Sequence, residues 1–494
     1  MIKRTSLILL SGLFALPLAA LENDIEVIPV STASYTAVTA ERGVQISSPE
    51  LSAGGTTLDL LMKSVELHAP QVMQAQAAGE AAVARETIAQ APFDPILNGS
   101  YDGRMTGFYG GQVADVSVSQ RLEDINATVY GGYSVSRGRL PVYEDEYLTN
   151  RGGEFRAGAR FALLRGREID PQRVALSNAR LASQSAQQKA ALQILDIKSA
   201  AMQAYVQWLY AENTRMVYDE LYTIALVRDE AIQKAIAAGQ LASITREENR
   251  QLLLARQSQK IRAEQMAMQA AMSLALYLRD QTGEPTTPKF GQQAFLPQQN
   301  PFNLNTVEEA SRQTLEARPD FVAIGLDIEQ LRAEERLAEN DLQPNLELKY
   351  EFRRDFGDGS PTREGTDHKV GLNFNVPIEL SRARGERSEV IAKLKSARAE
   401  LRLLQDQVGL ALRANQAGIV ATEQQLEIGK SEVEIAEALQ RAEEARYLAG
   451  ASDVFRLNVQ ETALANSKLR VLNAQRDHDL LLVQYFAITG RFWF

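Results

Sequence analysis

The chain has no cysteine and only three histidines among its 494 residues. Without thiols there are no disulfides, no zinc held by cysteine and no lipid carried on an N-terminal cysteine. His68, His368 and His478 are scattered and read as surface or interface residues. No glycine-rich phosphate loop, H-E-x-x-H or G-x-S-x-G motif occurs, so the reading is not an enzyme, with no cofactor and no metal site. The net charge is −10 and no Lys/Arg block stands out, which argues against a nucleic-acid partner. Helix breakers are also missing where they would be expected. No proline lies between Pro171 and Pro285, and Gly239 is the only glycine between Gly166 and Gly283. Beyond the N-terminus no apolar run approaches about 18 residues, so no transmembrane helix is expected. A chain of this kind crosses a membrane only as a closed β-barrel, which satisfies every backbone hydrogen bond in lipid.

What the sequence does contain begins with Lys3, Arg4 and the apolar run "SLILLSGLFALPLAA", closed by Ala19 and Ala20. This reads as a secretory signal over residues 1–20, followed by an N-terminal extension, 21–55.

The remainder is written twice. Thr57 and Thr306, Pro70 and Pro319, Pro95 and Pro344, Leu97 and Leu346, and Tyr101 and Tyr350 all match at one offset of 249. Further on, Gly158 matches Gly371 and Phe161 matches Phe374 at 213, so the first copy has 36 extra residues between Tyr101 and Phe155. Gly239 then matches Gly450 at 211. These offsets define structural repeats at 56–281 and 306–490, a proline-rich linker at 282–305 and an aromatic tail at 491–494.

Each repeat has one layout. A short helix (57–68, 306–317) and a second helix (70–91, 319–340) precede a strand region (95–165, 344–378). A long helix (170–238, 384–449), a glycine break (tips 239–243, 450–453) and a return helix (243–281, 453–489) follow. The strands rest on period-two alternation, as in "LELKYEFR" and "VGLNFNV". "NATVYGGYSVSR", in the 36-residue insert, reads as one extra hairpin. The helices rest on Asp170 as N-cap before Pro171, and on Leu195, Met202, Leu209 and Met216 at heptad spacing. A helix over 170–238 would extend about 100 Å.

One chain supplies four strands, or six with the insert, whereas an outer-membrane barrel needs at least about eight. Subunits must therefore share one barrel. This order resembles the outer-membrane efflux protein family, the TolC-like channels. The duplicated Thr-x12-Pro helix starts, "APFDPILNGSY", "FALLRGREIDPQR" and the paired glycine breaks carry the resemblance. It implies a mainly α fold with a β-barrel portion, in which a homotrimer builds a twelve-strand outer-membrane barrel on a periplasmic α-barrel. The barrel has eighteen strands if the extra hairpin joins the wall; otherwise that hairpin is an extracellular or lumenal flap. It implies an efflux or type I secretion channel in the outer-membrane lipid, partnered by a periplasmic adaptor (membrane fusion) protein and an inner-membrane pump of RND or ABC type. The reading from another class is an elongated periplasmic coiled-coil scaffold or adaptor.

The resemblance also places the glycine breaks at the periplasmic hairpin tips, where the adaptor docks. The tip residues are Gly239, Ala242, Ser243 and Thr245 in the first copy, and Tyr447, Gly450, Ala451, Ser452 and Asp453 in the second. Glycine accepts the positive φ of a tight reversal. Ser243 or Thr245, and Asp453, are expected N-caps, with Thr245 and Glu248 forming a capping box. Where the family has acidic residues at a narrow entrance, this chain places Arg246 and Arg456. They either line the entrance, paired with Glu247, Glu248 or Asp453, or lie on the outer solvated face. At the C-terminus, Phe492, Trp493 and Phe494 read as apolar packing or as a barrel-assembly signal.

Overall fold

A computed structural model describes residues 55–104, 106–140, 148–239, 241–291, 314–315 and 318–490. The signal segment, most of the helix expected at 306–317, and the C-terminal aromatic tail lie outside the described residues.

Two short helices begin the described chain: α1 (Leu58–His68) and α2 (Pro70–Gln90). Thr57 caps α1, its hydroxyl accepting from the Leu60 amide at 3.3 Å. Pro70 occupies the first turn of α2, where its missing N–H costs nothing. Four strands follow: β1 (Ile96–Gly103), β2 (Gly111–Arg121), β3 (Ala127–Gly138) and β4 (Gly153–Ala162). Next come α3 (Pro171–Ala237) and its return helix α4 (Ser243–Ala275). The second copy runs α5 (Pro319–Asn340), β5 (Asn345–Phe356), β6 (Thr366–Asn375), α6 (Ser381–Leu448) and α7 (Val454–Thr489).

The six strands form one antiparallel meander in chain order, β1-β2-β3-β4-β5-β6. Residues 127–138, expected as a whole hairpin, form a single strand, and the other arm of the inserted hairpin is β2. The alternation there is diluted by Gly131, Gly132 and several serines, so the period-two signal is weak.

Asp170 caps α3 as expected, accepting from the Gln172 and Arg173 amides at 3.0 and 3.2 Å. It also holds the guanidinium of Arg121, on β2, at 3.1 Å, which ties sheet to helix. With 67 residues, α3 spans about 100 Å. Its heptad seam is only partly buried: Leu195, Met202 and Leu209 are inside, while Met216 is exposed. The return helix α4 stops at Ala275 rather than near 281, because the chain then turns through Asp280–Glu284. Part of the expected linker is packed. Lys289 exchanges hydrogen bonds with Thr56, and Phe290 lies edge-on against Trp208.

That contact belongs to the main core, where α1, α3, α4, α6 and α7 meet around Leu61, Trp208, Leu274, Leu412 and Val483. His478 is fully buried there beside Asp479, which corrects its reading as a surface or interface residue.

Away from this core the helices form a single layer. In the half bearing the glycine turns the order is α4-α3-α7-α6; in the half nearer the sheet it is α2-α3-α5-α6. Among the described residues no helix is long and apolar enough to cross a membrane.

Candidate functional site

The sheet has two unlike faces. Residues paired across a ladder share a face. One face presents Leu97 and Tyr101, Val116 and Val118, Tyr133, Phe155, Tyr350 and Phe352, and Val370, Leu372 and Phe374. Among its described strand residues the charged side chains are Arg137 and Arg354, both toward the end away from the helices. The other face presents Asp115, Arg156, Arg160, Glu347, Lys349, Glu351 and Arg353. Their charges pair: Asp115 with Arg156 at 2.7 Å, Arg160 with Glu347 at 3.4 Å, and Glu351 with Lys349 at 2.9 Å and Arg353 at 2.5 Å.

Burial follows the opposite rule from a water-soluble sheet. Inside the sheet, Val116 and Val118 of β2 are 54% and 46% exposed and Tyr350 of β5 is 40% exposed, while Glu351 of β5 is 3% exposed. An apolar outer face over a polar inner one is the arrangement of a barrel strand in lipid. Among the described residues, β1 and β6 each leave one edge unpaired within a single chain.

At the opposite end of the helices, Gly239 (φ 75°) and Gly450 (φ 76°) make the two reversals. At the second, the Ala451 amide donates to the Arg446 carbonyl at 2.8 Å and the Gly450 amide to Tyr447 at 3.0 Å, closing a Schellman motif. Asp453 caps α7, accepting from the Arg456 amide at 2.8 Å. Ser243 and Thr245 do not cap α4. Its N-cap is Ala242, and Thr245 already lies inside the first turn, so the Thr245–Glu248 capping box does not form. The small residues Ala242, Ser243 and Ala451 are exposed, Tyr447 and Ser452 are half-buried, and the Ser452 hydroxyl donates to Glu443. Arg246, Glu247, Glu248 and Arg456 are exposed. Neither arginine forms an ion pair with Glu247, Glu248 or Asp453 within the chain; the Asp453 carboxylate is engaged by backbone.

Two features near the tips were not singled out from sequence. A groove of about 730 Å³ lies between the first turns of α4 and α7, lined by Leu252, Ala255, Phe455 and Val459 among others. Further up, Glu461 on α7 is 3% exposed and receives two arginines. Arg256 on α4 donates to it at 2.9 Å, and Arg228 on α3 donates to it and to Asn458. Arg256 also donates to the Leu221 carbonyl at 3.0 Å. Burial draws the Arg256 pKa below its ordinary value, and the hydrogen bond that Arg256 donates to Glu461 opposes this. The signal for this cluster was in the spacing: Glu461 stands between Leu457 and Ala465, and Arg256 between Asn249 and Ala263, all buried.

A sheet with a lipid-type outer face, joined to a layer of helices about 100 Å long, defines the TolC-like channel fold. Residues 310–491 match the model of the outer membrane efflux protein family. The fold is similar to that of a membrane protein from Pseudomonas aeruginosa, at 16% identity and a TM-score of 0.63 over 90% of this chain and 95% of that one. It is also similar to the outer membrane protein VceC from Vibrio cholerae (14% identity, TM-score 0.61, 88% of this chain and 96% of that one). A third similar structure is the open state of the Neisseria gonorrhoeae MtrE outer membrane channel (15% identity, TM-score 0.59, 88% and 89%). No curated protein matches the sequence.

Proposed function

We propose that the chain is one subunit of a homotrimeric outer-membrane channel. In this reading it receives cargo from an inner-membrane pump and a periplasmic adaptor and releases it outside the cell, in efflux or in type I secretion. The observation that carries the reading is the inverted sheet with its two unpaired edges. An apolar outer face needs lipid, and unpaired strand edges cannot persist in lipid, where each unsatisfied backbone group costs several kcal/mol. The barrel must therefore be completed by further copies.

The helices support the same conclusion. In the half bearing the tips, α4 and α6 bound the layer. Each leaves an apolar heptad stripe more than half exposed: Leu254, Ile261 and Met268 on α4, and Leu403 and Leu410, then Ile428 and Ile435, on α6. Such stripes are seams awaiting a partner helix. A soluble scaffold would account for the seams but not for the outward Val370, Leu372 and Phe374.

The test is localisation and conductance. The protein should be extracted from outer membranes only by detergent, run as a heat-sensitive trimer, and insert single channels into planar bilayers. Release with the soluble periplasm would support the scaffold instead.

A further inference from the structure

We propose that the β2–β3 hairpin is a structural part of the channel wall, so that three copies close an eighteen-strand barrel with a wide exit suited to bulky hydrated cargo. This rests on the channel reading above.

The duplication identifies the insert. By sequence β1 corresponds to β5 and β4 to β6, through Tyr101 with Tyr350 and Gly158 with Gly371. In the second copy the two strands pair directly, with Leu348 opposite Leu372 and Tyr350 opposite Val370. In the first copy the equivalent strands are separated, because β2 and β3 stand between them in full register with each. A hairpin adds two strands, which preserves the antiparallel alternation. β6 therefore runs opposite to β1 and can pair with the β1 edge of the next copy.

The inserted strands share the two-faced pattern. Ala114, Val116 and Val118 continue the apolar face, while Asp115, Ser117 and Ser119 continue the polar one. They are also keyed into the older strands across glycines. Tyr130 lies over Gly158 of β4 and donates to Glu351 of β5 at 2.6 Å; a Cβ on Gly158 would meet the Tyr130 ring at 2.5 Å. Asp115 of β2 passes β3 at Gly132 to reach Arg156 of β4. On the outer face, Tyr133 covers Gly153 and donates to the Gly152 carbonyl. A flap swung away from the wall would have no use for these fits, and its outward valines would stand in water.

Barrel diameter grows roughly linearly with strand number, so eighteen strands give a bore about half again as wide as twelve and about twice the cross-section.

Two measurements test this on the full chain, which offers a cysteine-free background for labelling. Nitroxide labels at Val116→Cys and Ser117→Cys should report lipid and water respectively in the membrane-inserted trimer. Separately, residues 104–152 are replaced by the nine-residue β5–β6 connection, 357–365, so that β1 and β4 pair as β5 and β6 do. With polymer added only to the extracellular side, the excluded radius should fall by about a third. An inserted deletion trimer with an unchanged cutoff, or labels that both report water, overturns the wide wall and leaves the channel reading intact. If the deletion variant does not insert, the label pair decides. A full chain that never inserts overturns both.

Discussion

At the scale of single residues, the sequence directed attention to Arg246 and Arg456 and passed over Arg228, Arg256 and Glu461. The reason is physical. Nearly a quarter of the chain is charged, and on long helices a charge belongs by default to the solvated face. Only the buried column at intervals of four shows that Glu461 points inward, between Leu457 and Ala465. Two buried guanidinium groups share this one carboxylate, so removing it leaves both uncompensated. Glu461→Ala is expected to destabilise the helical layer by about 3–5 kcal/mol, because breaking a buried pair strands the partner charge. Urea unfolding followed by helical circular dichroism measures this. The same experiment on Arg228→Met, Arg256→Met and Glu461→Leu together should recover most of the loss, since well-packed apolar replacements of a buried ionic cluster are often neutral. A triple variant as unstable as the single one would mean that the cluster's hydrogen bonds, to Asn458 and the Leu221 carbonyl, hold the helices together.

At the scale of elements, the turns were the most legible part of the chain. A lone glycine in a proline-free run of more than a hundred residues marks a reversal, and the duplicate at Gly450 repeats it. Both have φ near 75°, and nothing lies within 4 Å of a Cβ added at either, so the requirement for glycine is purely one of backbone. Gly450→Ala should cost about 1–2 kcal/mol locally, as placing a Cβ residue in the left-handed region does. The local opening should show as a roughly five- to thirty-fold faster protease nick at the tip. An unchanged cleavage rate would mean that the turn is held by other contacts, such as Ser452 to Glu443. The strands were less legible. β5 and β6 alternate with large apolar residues, whereas β2 and β3 alternate with smaller ones and are interrupted by Gly131 and Gly132, so their pairing order becomes visible only through the register. The N-cap of α4 was misread because Ser243 and Thr245 both have the right chemistry, and only the backbone shows that the helix already includes them.

At the scale of the whole molecule, the proposed channel makes one chain an incomplete wall, bounded by β1 and β6 in the sheet and by α4 and α6 near the tips. The sequence implied this by arithmetic, since too few strands are present to close a barrel, but it did not show which helices form the flanks. Ile261→Asp, on the α4 seam, should therefore break the proposed trimer without unfolding the subunit, because the side chain is already exposed in the single chain. Blue-native electrophoresis would show the shift to monomer, and a stable Ile261→Asp trimer would place the subunit boundary elsewhere. The same closure decides what the charges do. Acids and bases on the polar face of the sheet pair with one another, as in Asp115–Arg156 and Glu351–Arg353, so this face carries little net field. Arg246 and Arg456 remain exposed beside the turns. If they ring the entrance of the assembled channel, their fields add at its narrowest point and disfavour cations there. The double variant Arg246→Ala with Arg456→Ala should then move the reversal potential in a salt gradient toward cation preference. The shift should shrink at high ionic strength, where the Debye length falls to about 3 Å at 1 M. Unchanged selectivity at low salt would place both arginines on the outer face, leaving the entrance to be set by the small residues of the turns.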